Sequence, residues 1–269
     1  MKKIWQCCPE MVRAIKKSHD EVGGLGYGHD FDHALRVGNL AYRFIDPISD
    51  IGIRSTGNAK SDLMVVELIK LGGDKLDCTL AGIAGLCHNA DRILQARKKV
   101  GVFSKIDDRE IAALISDWLK QSDDVHLIDL SPRDEDLIVT SCLKHSEPNK
   151  SDDSLVLIAL KDADRVVNAG VDVIMRNGQF FPPNFPVVDP IHLFGDPTAN
   201  FKNQKSVFKA LQSALDWEDE NCRACLRLSQ AKEFAKRRFA FLKKYVEEVI
   251  EQRREEDLLD GDYPVFGKA

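Results

Sequence analysis

Four short segments of this chain carry side chains able to bind a metal ion or move a proton, and each lies against an apolar run. The first, His29-Asp30-Phe31-Asp32-His33 with Arg36-Val37 behind it, sets two imidazoles four residues apart. On a helix that spacing puts both on one face. The second, Leu86-Cys87-His88-Asn89-Ala90-Asp91-Arg92, closes the most apolar stretch of the sequence. Lys144-His145-Ser146 is the third, and Lys161-Asp162-Ala163-Asp164-Arg165 the fourth, inside an otherwise apolar run. Ionisable groups at the ends and middles of apolar helices are costly to bury unless they are paired or bound to metal. Taken singly, each segment also reads as a hydrogen-bonded boundary histidine or a solvated helix face with local ion pairs. One cation shared among them would account for all of them together.

The elements that must position these groups are helices. Residues 32–45 place Ala34, Val37, Ala41 and Phe44 at helical spacing, and 76–90 are apolar all round, as in a helix at the centre of a fold. Residues 107–121 are amphipathic, with Ile111, Leu114, Ile115 and Leu119 on one side. The pattern predicts further helices over 133–145, 153–175 and about 204–256. Strand signals are few, since Val187-Val188 sits among prolines. The expected fold is all-α, with about eight to ten helices. Residues 1–203 form the expected main domain, and 204–269 a C-terminal helical extension packed on it. Three irregular regions interrupt the pattern. Residues 22–28 read as a glycine-rich turn opening the His29–His33 helix. Residues 46–60 read as a polar insertion or linker, and 177–200, rich in Pro and Phe, as either a lid or a loop pinned by its phenylalanines.

Composition narrows the partners. A formal net charge of −5 argues against long nucleic acids, although a few cations in one pocket suffice for a small nucleotide. Seven cysteines in a chain with 43% hydrophobic residues do not suggest a disulfide framework. Cys222 and Cys225, a lone CxxC in a segment that reads as helical, offer only half a structural zinc site. Neither a signal peptide nor a membrane span is evident, which predicts a reducing, cytoplasmic setting without a membrane partner.

The order of the four segments resembles the HD-domain superfamily of metal-dependent phosphohydrolases. More narrowly, it is similar to the bacterial branch carrying HDxxH..RV, HS and DADR in sequence, over roughly residues 25–176. The resemblance implies an HD-type helical bundle in which His33, His88 and Asp164 bind a divalent metal ion (Mn, Mg, Fe, Ni or Zn). It also implies that His29 and His145 line the same pocket. One residue departs from the pattern: Asn89 stands where the family has the aspartate of its His-Asp pair. An amide oxygen can ligate a hard cation, but it brings no charge and accepts no proton.

On this reading Lys144, Arg165 and Arg36 are candidate phosphate partners, His145 a hydrogen-bond or proton donor, and Asp162 a carboxylate for orienting water. The implied activity is hydrolysis of a phosphoester or phosphoanhydride in a small phosphorylated substrate, a nucleotide being the expected class. Two alternatives remain. One is an HD-like domain that binds metal or nucleotide in a regulatory role without turnover. The other is a helical interaction protein with buried histidines and no metal.

Overall fold

The computed structural model describes residues 3–23, 29–45, 75–101, 104–122, 129–181, 185–188 and 205–258. Helix starts follow local chemistry. After the short α1 (Ile4–Cys7), Pro9 opens α2 (Pro9–Glu21) at a position that needs no backbone N–H. Next come α3 (Phe31–Ile45), α4 (Lys75–Cys87) and α5 (Ala90–Lys98). Asp107 caps α6 (Asp108–Lys120) by accepting from the Arg109 amide. Ser131 and Asp134 form a reciprocal capping box on α7 (Pro132–Lys144). Ser154 caps α8 (Leu155–Asn168), which is followed by α9 (Val173–Phe180). Ser206 caps α10 (Val207–Ala214); a 3-10 turn over Leu215–Glu218 then leads towards the long α11 (Ser229–Glu255). The fold is all-α, with no strand among the described residues.

Helices α3, α4 and α8 pack against one another at the centre, with α7 against α4 and α8 and the long α11 against α8. Val37, Phe44, Ile83, Leu86, Leu160, Ala163 and Leu242 belong to one apolar cluster that joins all of these layers. Full burial of each large apolar side chain stabilises the fold by about 1.5–3 kcal/mol, so this cluster sets the helix positions. The α3–α4 contact is unusually close because both surfaces lack side chains where they meet. A Cβ on Gly85 would stand 2.6 Å from the Gly38 Cα, and one on Gly38 would stand 2.8 Å from the Gly82 carbonyl oxygen. That approach brings together His33, five residues before Gly38, and His88, three residues after Gly85.

The helix expected over 153–175 is two helices. Its first part ends at Asn168, where the Ala169 amide turns back to the Arg165 carbonyl, and the chain re-enters a helix at Val173. Gly170 allows this turn: a Cβ there would meet Asp172 Oδ1 at 2.7 Å and crowd Arg36. The stretch expected to be helical over 204–256 is likewise broken between Glu218 and Ser229. In that gap the Leu226 amide bonds the Trp217 carbonyl, and the amides of Arg227 and Leu228 bond the Asp162 carboxylate, so the local backbone partners are not helical. The CxxC therefore lies in a turn rather than a helix, and all seven cysteines are free thiols.

Of the 177–200 stretch, Asn177–Phe180 complete α9, and the Phe181 and Phe185 rings stack at 4.4 Å between centroids. Phe185 packs against a small cluster of Phe181, Val207 and Ala210. The expected insertion over 46–60 lies outside the described residues, as do 24–28 of the glycine-rich turn and 182–184 and 189–200 of the expected lid or loop. No described helix is long and apolar enough to cross a membrane.

Candidate metal centre

Three helix segments each deliver one ligand atom to a common point. His33 lies in the first turn of α3, where its amide is held by Asp30 Oδ1 at 2.9 Å. His88 follows directly on the last residue of α4, and Asp164 projects from α8. His33 Nε2 is 3.2 Å from His88 Nε2 and 3.2 Å from Asp164 Oδ1, and His88 Nε2 is 3.8 Å from the same oxygen. Ligand atoms about 2.1 Å from one cation stand roughly 3.0–3.4 Å apart, and these separations come close to that spacing. The residues present thus fit a divalent ion. The imidazoles are 2% and 1% exposed, whereas Asp164 is 22% exposed, so access is from the carboxylate side.

Tautomers follow from the hydrogen bonds. His88 Nδ1 lies 2.6 Å from the Gly85 carbonyl oxygen, which can only accept, so Nδ1 carries the proton and Nε2 presents a bare lone pair to the centre. His145, which follows α7, repeats the contact: its Nδ1 donates to the Cys142 carbonyl oxygen at 2.6 Å. The rings of His29, His33, His88 and His145 form a row with centroid separations of 5.5, 5.1 and 5.3 Å. His33 Nδ1 is buried without a hydrogen-bond partner.

Burial sets the charge state. It lowers the pKa of His88 from its ordinary value of 6.5 to about 3, and lowers that of His33 as well, so both imidazoles are neutral at physiological pH. His29 is pushed well below its ordinary value, first by burial and then by the neighbouring His33, Arg92 and Arg176. For Asp164 burial acts the other way, but the hydrogen bond from His33 and the adjacent histidines override it. Its pKa ends well below the carboxylate range. Two neutral imidazoles and one carboxylate form a donor set suited to a divalent ion.

Asn89 is 3% exposed, and its amide nitrogen has no partner. It occupies the N-cap position of α5, where asparagine commonly caps, yet it makes no capping bond. Its side chain therefore does not serve the helix it precedes. Asp91 stands three residues beyond His88 in the first turn of α5, near enough in sequence to reach the same centre. Even so, Asp91 pairs with Arg92 and is not among the three clustered ligands.

Other candidates stand elsewhere. Asp162, expected to orient water, accepts the amides of Arg227 at 2.8 Å and Leu228 at 2.7 Å and is fully buried. Two residues along a helix is a rotation of about 200°, which takes it to the far side of α8 from Asp164. Arg165, expected to bind phosphate, donates to Asn149 Oδ1 at 2.9 Å and to the Cys225 carbonyl at 3.2 Å. Both residues tie the 225–228 segment to α8 instead. Lys144 ends α7 as an exposed residue. Arg36 forms a two-pronged pair with Asp172, Nη2 lying 3.2 Å from Oδ1.

The sequence reading missed Arg176. This residue of α9 falls between a helix expected to end at 175 and a loop expected from 177, so it entered neither. Its Nε and Nη1 are buried without hydrogen-bond partners. Burial lowers its pKa, and Asp164, Asp172, Arg36 and Asp30 are close enough for their charges to act on it. No sequence signal marks it, because the burial of Nε and Nη1 without partners arises only in the fold.

Comparison of the chain with protein-family models, curated proteins and solved structures gave no match.

Proposed function

We propose that this chain is a metal-dependent phosphohydrolase of the HD type, cleaving a phosphoester or phosphoanhydride of a small nucleotide. The observation that carries the reading is the convergence of His33 Nε2, His88 Nε2 and Asp164 Oδ1, all within 4.8 Å of one another. The resemblance in motif order supplies the reaction class, and the nucleotide is its expected substrate.

His33 and His88 would hold the ion through Nε2, and Asp164 through its carboxylate. Asn89, next to His88 and without a capping role, is the residue best placed in sequence to add an amide oxygen. A divalent cation there supplies Lewis acidity, lowering the pKa of a bound water and offsetting charge on phosphoryl oxygens. His145, its Nδ1–H fixed on Cys142, offers Nε2 as the acceptor of a proton and, once protonated, as a donor to a leaving oxygen.

Elemental mass spectrometry on wild type and His88→Ala, with nucleotide hydrolysis measured in parallel, tests the reading. The expected result is near-stoichiometric metal and hydrolysis in wild type, with both lost together in the variant. No metal in wild type after incubation with Mn2+ or Ni2+ would sink it. Asn89 favours one second reading, a domain that binds metal or nucleotide without turnover. Metal lost in His88→Ala with no hydrolysis in either protein would establish that alternative. Asn89→Asp would then be expected to tighten metal binding by about tenfold, because it adds a charged ligand.

A further inference from the structure

Resting on the metal-site reading, we propose that Arg176 binds the anionic group of the ligand, its unpartnered Nε and Nη1 donating to phosphoryl oxygens beside the His33–His88–Asp164 centre.

The placement follows from two helices. On α3, Arg36 lies one turn beyond His33; on α9, Arg176 lies one turn beyond Asp172. The Arg36–Asp172 pair fastens those two turns together, so Arg176 sits next to the wall that carries His33. Asp172 is occupied by both prongs of Arg36, and Asp164 Oδ1 already accepts from Asn168 Nδ2 at 2.9 Å and faces His33. The Nε and Nη1 of Arg176 donate no bond to these carboxylates or to Asp30: both are buried without a hydrogen-bond partner.

Leaving charged donors unpaired in a buried setting is expensive, and an arriving anion removes that cost. A guanidinium offers a planar fork that matches two phosphate oxygens, whereas an ammonium offers a single point charge. The other cations expected to bind phosphate do not meet this description. Arg165 is engaged with Asn149 and Cys225, Arg36 with Asp172, and Lys144 is exposed. A divalent ion held by His33, His88 and Asp164 would add a second positive group beside Arg176 for a phosphate to bind. This selects a phosphate monoester, diester or anhydride over a neutral substrate.

The test is binding of inorganic phosphate to the full chain, with and without Mn2+, read by phosphorus-31 line broadening and by calorimetry. Wild type, Arg176→Gln and Arg176→Lys are compared, with Mn2+ occupancy and thermal midpoint recorded for each. The expected result is unchanged Mn2+ occupancy in both variants. Phosphate affinity should fall by about 10- to 100-fold in Arg176→Gln and by less in Arg176→Lys, as for loss of a charged hydrogen-bond pair. Phosphate affinity unchanged in a folded Arg176→Gln overturns the inference. So does loss of Mn2+ from both variants, which would make Arg176 a support for the metal ligands.

Failure of the metal reading is distinguishable. If wild type holds no Mn2+, phosphate binding that still depends on Arg176 sustains the inference. In that case, absence of phosphate binding removes both.

Discussion

Helix α8 carries charged groups on two faces, and the two faces treat them in opposite ways. On one, Lys161 donates to Asp153 at 2.9 Å and to the Pro148 carbonyl at 3.1 Å, while Asp153 also receives Arg227 at 2.8 Å. Asp162 accepts two backbone amides, and Arg165 reaches Asn149 and Cys225. These charges are matched by protein donors and acceptors from segments distant in sequence. On the other face, Asp164 meets two neutral imidazoles whose Nε2 atoms converge with its Oδ1, while His33 Nδ1 and the nearby Arg176 donors go unpartnered. The first face is bonded mainly within the protein and fastens the 225–228 segment to the core, with Asp162 Oδ1 and Arg227 Nε left without hydrogen-bond partners. The second holds polar groups that a cation and an anion would complete. A buried charge is therefore informative about function only once its partners have been traced.

The sharpest way to break this comparison is to remove each aspartate in turn. Asp162→Ala leaves two backbone amides and Arg165 without their carboxylate, and is expected to cost about 3–5 kcal/mol of folding stability. Chemical denaturation would show the loss, with metal occupancy of the folded fraction unchanged. Asp164→Asn should behave in the opposite sense. Metal affinity should fall by about 100-fold or more with the carboxylate of the three clustered ligands gone, while metal-free stability changes by about 1 kcal/mol or less. Equal stability losses in the two variants would mean that both faces serve the fold and that the centre has no special standing.

Much of the centre was legible because its ionisable residues interrupt apolar periodicity. His33, His88 and Asp164 each stand where a helix otherwise reads as core, and the structure brings all three together. What the sequence could not show was partnership across distance. Asp162 and Arg165 lie in the same short motif as Asp164, and only residues 225–228 reveal that they face elsewhere. The breaks at Gly170 and between Glu218 and Ser229 were hidden for the same reason. Both are set by tertiary bonds, Arg36–Asp172 in one case and Asp162 with Arg227 and Leu228 in the other. Helical periodicity runs through both breaks, so the pattern alone predicts continuous helices.

Acid offers a second, smaller perturbation of the open face. Burial holds His88 at a pKa of about 3, and His19 of α2 at about 4, against 6.5 for an exposed histidine. Between those values and 6.5 the unfolded chain binds protons that the folded chain refuses. Stability is therefore full above pH 6.5 and declines as the pH falls. At pH 5 the expected loss is about 2 kcal/mol for each histidine. Denaturant titrations of metal-free protein at pH 7 and pH 5 measure it directly. Replacing His19 should remove its own share of the decline, about 2 kcal/mol at pH 5. A midpoint independent of pH over this range would show that the imidazoles are not buried as neutral groups.

The smallest expected effect lies where the open face meets the rest of the molecule, at the half-exposed Arg36–Asp172 pair. Its side chains are 32% and 28% exposed, so its loss should cost only about 1 kcal/mol or less. Its influence on ligand binding should be larger than that figure suggests. Arg36→Met frees the Asp172 carboxylate one helical turn from Arg176, and the freed acceptor competes with phosphate for the same guanidinium. The single variant should therefore bind phosphate more weakly, although Arg36 itself does not touch the anion. Adding Asp172→Asn removes the competitor and should restore affinity. Were Arg36 a direct phosphate ligand, the double variant would remain as weak as the single one. Calorimetric titration of the two proteins separates a residue that contacts the ligand from one that keeps its neighbour available.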